Sequence, residues 1–166
     1  MGHEISEQAI KRSVRFQQLS NGRLLALIKL MTETIRVLVV EDDEVSAKAV
    51  QVMLVRLGCS VDIAEDGRQA TEKFRDGGYD LVLMGWQMPV MNGFEATARI
   101  RAMAHGQHTP IIGTTAARDR AECVSAGMND LMAKPFRMEA LRQTLVRWTN
   151  WTDKKFGECK TGCGLS

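Results

Sequence analysis

Three groups of residues in this 166-residue chain are of types that do chemistry, and they and one glycine each end or follow a short apolar run. Glu41, Asp42 and Asp43 follow "IRVLVV", Gly85 follows "YDLVLM", Thr114 and Thr115 end "TPIIGTT", and Lys134, with Pro135 after it, follows "DLMA". Acidic side chains, a hydroxyl and a lysine at one rim suit a phosphoryl site with a divalent cation. The carboxylates would hold Mg2+, and the lysine and hydroxyl would meet phosphoryl oxygens. Each residue also has a plain structural reading: acidic residues after a strand cap helices, Thr115 could cap the next helix, and Lys134 could be solvated. Their joint placement at one run after another favours the chemical reading. Gly85 is the odd member, because an acidic residue is expected at such a strand end and glycine has no reactive group.

These positions need elements to bring them together. From residue 35 onward the chain alternates between two periods. "IRVLVV" (35–40) is β-branched and almost continuously apolar, as in a strand buried on both faces. "EVSAKAVQVMLVRLG" (44–58) has Val45, Ala49, Val52, Met53 and Leu57 at helical spacing and stops at Gly58, a helix-closing residue. Strands over 60–64, 79–84, 109–115 and 130–133 alternate with helices over 67–78, 93–105, 117–127 and 137–148. Five strand–helix pairs predict a parallel sheet with helices on both faces, joined by right-handed crossovers, and a ligand crevice at the C-terminal strand ends.

Composition sets the outer bounds. Apolar residues at 45% and charged residues at 25% are those of a globular domain. The net charge of +2 gives no electrostatic case for nucleic acid. Residues 1–36 carry six Lys or Arg against three Glu, whereas 37–148 carry thirteen against fifteen Asp or Glu. No apolar segment approaches the ~18 residues of a membrane span, and "LLALIKLM" at 24–31 is interrupted by Lys29. The expected division is a helical arm or linker over 1–34, the α/β domain over 35–148 and a loose tail over 149–166. Within the arm, Ile5, Ile10, Val14, Leu24, Leu27, Ile28 and Met31 form an apolar stripe that suits a docking face or a paired helix, so a homodimer through 4–31 is expected. Cys59 and Cys123 fall in periodic segments. Cys159 and Cys163 lie in the tail, where "CKTGC" could bind metal or form a disulfide. Reduced thiols in a cytoplasmic chain are the simplest reading.

"VLVVEDD", "YDLVLMGWQMPVMNGFEATARIR", "TPIIGTTA" and "AGMNDLMAKPF" together resemble the receiver domain of bacterial two-component response regulators and hybrid sensor kinases. The resemblance covers about residues 35 to 148, with all four motifs in order. It implies a flavodoxin-like (βα)5 fold with strand order 2-1-3-4-5. It also implies that Glu41 and Asp42 match the pair that holds Mg2+, and that Thr115 and Lys134 match the residues that contact the phosphoryl group. In that family an Asp ending the third strand accepts the phosphoryl from a histidine kinase, and the Lys–Pro bond is commonly cis, which would apply to Lys134–Pro135. Two positions depart from the pattern. The acceptor position is Gly85, and the position that often carries a switching aromatic is Leu131.

A glycine cannot form an acyl phosphate. Asp80 lies five residues along an extended strand, about 17 Å away, and Asp42 and Asp43 belong to a neighbouring strand. The leading expectation is therefore a pseudo-receiver that is not an enzyme and works by contact with a histidine kinase, another receiver or an output domain. The alternative is a phosphorelay receiver whose acceptor was replaced at Gly85, by engineering or in favour of another acceptor. A small enzyme of another class on the same fold is opposed by the lack of a glycine-rich dinucleotide loop and of any Ser/His/Asp arrangement. His3, His105 and His108 are not placed on a long helix as a relay histidine would be. With one carboxylate fewer, Mg2+ is expected to bind weakly or not at all, and Lys134 to pair with Asp42 or Glu41 in the vacated space.

Overall fold

A computed structural model of the chain describes residues 34–116 and 120–151. The arm over 4–31 and the tail cysteines Cys159 and Cys163 lie outside the described residues. Five parallel strands, β1 (Arg36–Val40), β2 (Ser60–Ala64), β3 (Leu81–Gly85), β4 (Ile111–Thr115) and β5 (Asp130–Ala133), pair in the order β2-β1-β3-β4-β5. The helices between them are α1 (Glu44–Arg56), α2 (Gly67–Asp76), α3 (Gly93–Arg101) and α4 (Arg120–Ser125), with α5 (Met138–Trp148) last. The fold is the expected flavodoxin-like α/β sheet. A turn of 3-10 helix at His105–Gln107 replaces the end of the helix expected to run to 105.

Alternation along the buried strands divides the interior into two layers. Leu38, Val40, Val82, Met84 and Ile111 pack with Phe74 of α2 and Ala96 and Ile100 of α3. Val37, Val39, Leu81, Leu83 and Ile112 pack with Val50 and Leu54 of α1 and Leu141 and Leu145 of α5. All five residues of β3 and of β4 are buried, as strands covered on both faces must be.

The loops after β1, β2 and β3 each end in a side-chain cap. Asp43 accepts from the Ser46 N–H at 2.7 Å, Asp66 from Arg68 and Gln69 at 2.7 and 2.8 Å, and Asn92 from Glu95 at 2.9 Å. Each satisfies an orphan donor of the first helical turn and so fixes where the helix leaves the rim. At the far end of α1, Gly58 takes a left-handed φ of 78°. Its N–H donates to Val55 O at 2.9 Å and that of Cys59 to Leu54 O at 3.0 Å, a complete Schellman closure.

Two expectations are corrected. Of the five α1 residues singled out by spacing, Leu57 is buried and Met53 is half-buried against the same layer, but Val45, Ala49 and Val52 face solvent, Val45 being 77% exposed. Ala47, Val50 and Leu54 complete the buried side, since α1 is apolar on more than one side. Trp151, assigned from the sequence to a loose tail, is buried against the α1 layer and donates its indole N–H to Leu57 O at 2.9 Å.

Candidate functional site

The C-terminal ends of β1, β3, β4 and β5 bring the sequence-selected residues to one rim. Glu41 directly follows β1 and is 3% exposed, its N–H extending the ladder to Ala64 O at 3.0 Å. Asp42 beside it is exposed. Gly85 is the last residue of β3 and is registered with Thr114, and Thr115, also buried, ends β4. Lys134 follows β5, tied by its N–H to Thr115 O at 3.0 Å, and the Lys134–Pro135 bond is cis. Asp43 stands apart from the pair as the α1 cap, and the hydrogen bonds it receives at Ser46 hold its carboxyl below the usual carboxylate range. Asp80 lies at the opposite end of the sheet, accepting from Arg36 N–H at 2.8 Å.

In the strand order, β3 and β4 lie between the strands that carry Glu41 and Lys134. Lys134 nevertheless reaches across both ends, its Nζ 2.5 Å from Glu41 Oε2. The contact is one of charge, lying off the hydrogen-bonding direction of that oxygen.

Gly85 is closed in by more than the lysine. A Cβ added there would lie 2.9 Å from the carbonyl oxygen of Val40 and 3.3 Å from Met88 Sδ. Met88 is half-buried and packs against the α2–α3 layer, so its thioether covers the strand end. The loop from Trp86 to Asn92 returns so tightly that a Cβ on Gly93 would fall 2.0 Å from Gly85 O, and only glycine fits. Val90 in the same loop is non-glycine with φ 68° and is 75% exposed.

Sequence reasoning passed over Met88 and also Trp86. The Trp86 indole is buried, packs on Phe94 with ring centroids 5.2 Å apart, and turns its Nε1 towards the Cys123 thiol. It fills a notch on β4, since a Cβ on Gly113 would meet Nε1 at 2.7 Å. A glycine inside a strand was the available signal, because it marks close approach. Leu131 is half-buried and packs against the same layer.

Beside the rim, a cleft of about 510 Å3 opens between the ends of β1 and β2, walled by Glu41, Asp42, Glu44 and Glu65 with Lys48 and Lys73. Both lysines turn to neutral groups. Lys48 Nζ donates to Gln51 Oε1 at 3.0 Å and Lys73 Nζ to Ile63 O at 2.6 Å. Among the described residues no three His, Cys, Asp or Glu side chains gather as a metal-holding group, and no helix is long and apolar enough to cross a membrane.

Comparison with known proteins agrees with this geometry. The family model described as "Response regulator receiver domain" matches residues 37–146. Hybrid signal transduction histidine kinase B of Dictyostelium discoideum is 37% identical over 126 residues, which cover 68% of this chain and 6% of that protein. The receiver domain of sensor histidine kinase PA1611 from Pseudomonas aeruginosa PAO1, solved with a magnesium ion in its active-site cleft, is 39% identical. It superposes with a TM-score of 0.66, covering 70% of this chain and 98% of that one. The receiver domain of Ssk1, solved with the Saccharomyces cerevisiae histidine phosphotransfer signaling protein Ypd1, comes from a structure that is 25% identical, with a TM-score of 0.65, covering 72% and 97%.

Proposed function

The chain belongs to the response regulator receiver family, and from that premise we propose that it is a pseudo-receiver: a signalling module that works by contact with a protein partner, without aspartyl phosphorylation. The partner class is a histidine kinase, another receiver or an output domain. One observation carries the reading. At the strand end where the family places its acceptor carboxylate, this chain has Gly85, covered by Met88, and Lys134 is drawn to Glu41. The neighbouring aspartates are poor substitutes, since Asp43 is engaged as a helix cap and Asp80 is at the wrong end of the sheet.

The same geometry supports weak Mg2+ binding. A hard cation needs several oxygen ligands, but residue 85 supplies no carboxylate and an ammonium already lies against Glu41. The donor set that remains does not fit the ion. A homodimer through residues 4–31 belongs to the same proposal, and light scattering with and without residues 1–31 tests it.

The reading is tested by incubating the chain with acetyl phosphate and Mg2+ and measuring intact mass. No added phosphoryl group is expected. A hydroxylamine-labile gain of one phosphoryl would overturn the pseudo-receiver and point to another acceptor.

A further inference from the structure

At the end of the sheet away from Gly85, another cleft of about 430 Å3 opens where β3 and β4 begin. His105, His108 and Asp80 line it, with Tyr79, Thr109 and Pro110. Both histidines are exposed, and neither imidazole has a hydrogen bond or ion pair among the described residues.

The backbone sets the two rings side by side. His105–Gln107 is the 3-10 turn, and His108 continues it with φ −108° and ψ −17°. Side chains at i and i+3 eclipse in such a turn, so both imidazoles rise from one side of it. The turn is also fastened in place. Arg101 donates to the carbonyls of Gly106 and Thr109, and Thr109 Oγ1 donates to His105 O at 3.0 Å. Gly106 is buried against the close of α3, where a Cβ would collide with the Ile100 carbonyl. On the same cleft wall, Asp80 Oδ2 is held by the Arg36 N–H at 2.8 Å. A fixed turn reduces the ordering cost that two surface side chains incur when they close on one ligand.

We propose that His105 and His108 bind one transition-metal dication of the Ni2+, Cu2+ and Zn2+ class as a two-imidazole chelate. Imidazole nitrogen suits these ions, whereas Mg2+ and Ca2+ take oxygen. The chain supplies two nitrogens, in keeping with the absence of any group of three ligating side chains among the described residues. Water completes the coordination, and Asp80 adds a negative charge on the same wall. The site lies at the opposite end of the sheet from Glu41 and Lys134, so it holds whether or not residue 85 can be replaced by a working acceptor.

The test titrates the full chain with NiCl2 and follows its backbone amide NMR signals. Paramagnetic broadening is expected to centre on residues 105–109 and on Asp80, while MgCl2 leaves those signals in place. His105→Gln and His108→Gln should each lower Ni2+ affinity at this cleft about tenfold, because a chelate loses its advantage when either arm is removed. Neither variant should move the urea midpoint, since both rings are exposed. His3, Cys159 and Cys163 are other groups of the chain that attract Ni2+, and residue-resolved signals separate them from the cleft. Broadening that bypasses residues 105–109 overturns the proposal, as does an affinity at the cleft that either single variant leaves unchanged.

Discussion

Replacing Gly85 by aspartate puts a Cβ 2.9 Å from the Val40 carbonyl oxygen and 3.3 Å from Met88 Sδ. The thioether is the end of a flexible side chain and can swing aside, but the β1 carbonyl has to give by a few tenths of an ångström. Overpacking of this kind costs about 1–3 kcal/mol, offset by about 0.5–1 kcal/mol because the unfolded chain loses a glycine's freedom. The new carboxylate also joins buried Glu41 in competing for Lys134. A buried acid left short of its counter-charge adds about 1–3 kcal/mol. In chelator, Gly85→Asp is therefore expected to lose about 1–5 kcal/mol in urea denaturation. Mg2+ should reverse part of this loss. At ten times its dissociation constant, an ion bound only by the folded state returns about 1.4 kcal/mol, while the parent's midpoint stays indifferent to Mg2+. With acetyl phosphate and Mg2+ the variant should gain one phosphoryl group and the parent none. Restored phosphorylation should alter the outer face little, because Leu131 has no ring to rotate. A variant as stable as the parent in chelator would refute the packing and charge reasoning. A folded variant that ignores both Mg2+ and acetyl phosphate would show that Met88 and the Lys134–Glu41 pair close the site whatever residue stands at 85.

Three further outcomes are expected. Val90→Asn should stabilise the domain by about 1 kcal/mol, because a β-branched residue at φ 68° is strained where asparagine is not; a lower denaturation midpoint would contradict this. Burial, and next the hydrogen bond to Asp62, push the Tyr79 phenol up to about 12. Its contribution to stability is thus full below about pH 10 and lost as pH rises through about 12. As this is the one tyrosine of the chain, phenolate absorbance reads it alone, and a midpoint near 10 would refute the argument. Trp151→Ala should cost about 2–4 kcal/mol for its buried ring, and Trp151→Phe about 1 kcal/mol for the hydrogen bond to Leu57 O; no loss in either would place Trp151 outside the cooperative unit.

Period and punctuation made the fold legible. The runs at 35–40 and 79–84 read as buried strands and 109–115 as a strand, and the glycine after α1 marked its closure. The rim residues were legible because polar types at strand ends stand out against apolar runs. The parts that escaped depend on facing and on distance in space. Which side of α1 meets the sheet is not fixed by spacing when several sides are apolar, and Val45 and Val52 share the helical period of Leu57 yet face solvent. Met88 reads as one methionine among ten until the loop folds it over Gly85. Arg101 gives no local signal at all. Its guanidinium donates to the carbonyls of Gly106, Thr109 and Gly127 and to Asn129 Oδ1, tying α3 to the starts of β4 and β5 across as many as 28 residues.

The bond from Trp151 to Leu57 acquires a different meaning beside a second one. Ser60 N–H donates to Ile35 O at 2.8 Å, three residues beyond the carbonyl that holds Trp151. The polypeptide thus enters and leaves the described unit at one seam, the turn between α1 and β2, at the opposite end of the sheet from Gly85 and Lys134. The two ends of the described unit are therefore neighbours, at the end of the sheet away from Gly85 and Lys134. A pull on them would load interior strand β1 and the Trp151–Leu57 bond at the close of α1 before it strained the rim. Tension or movement in neighbouring segments would therefore be felt at the valine-lined helix well before it reached the strand ends.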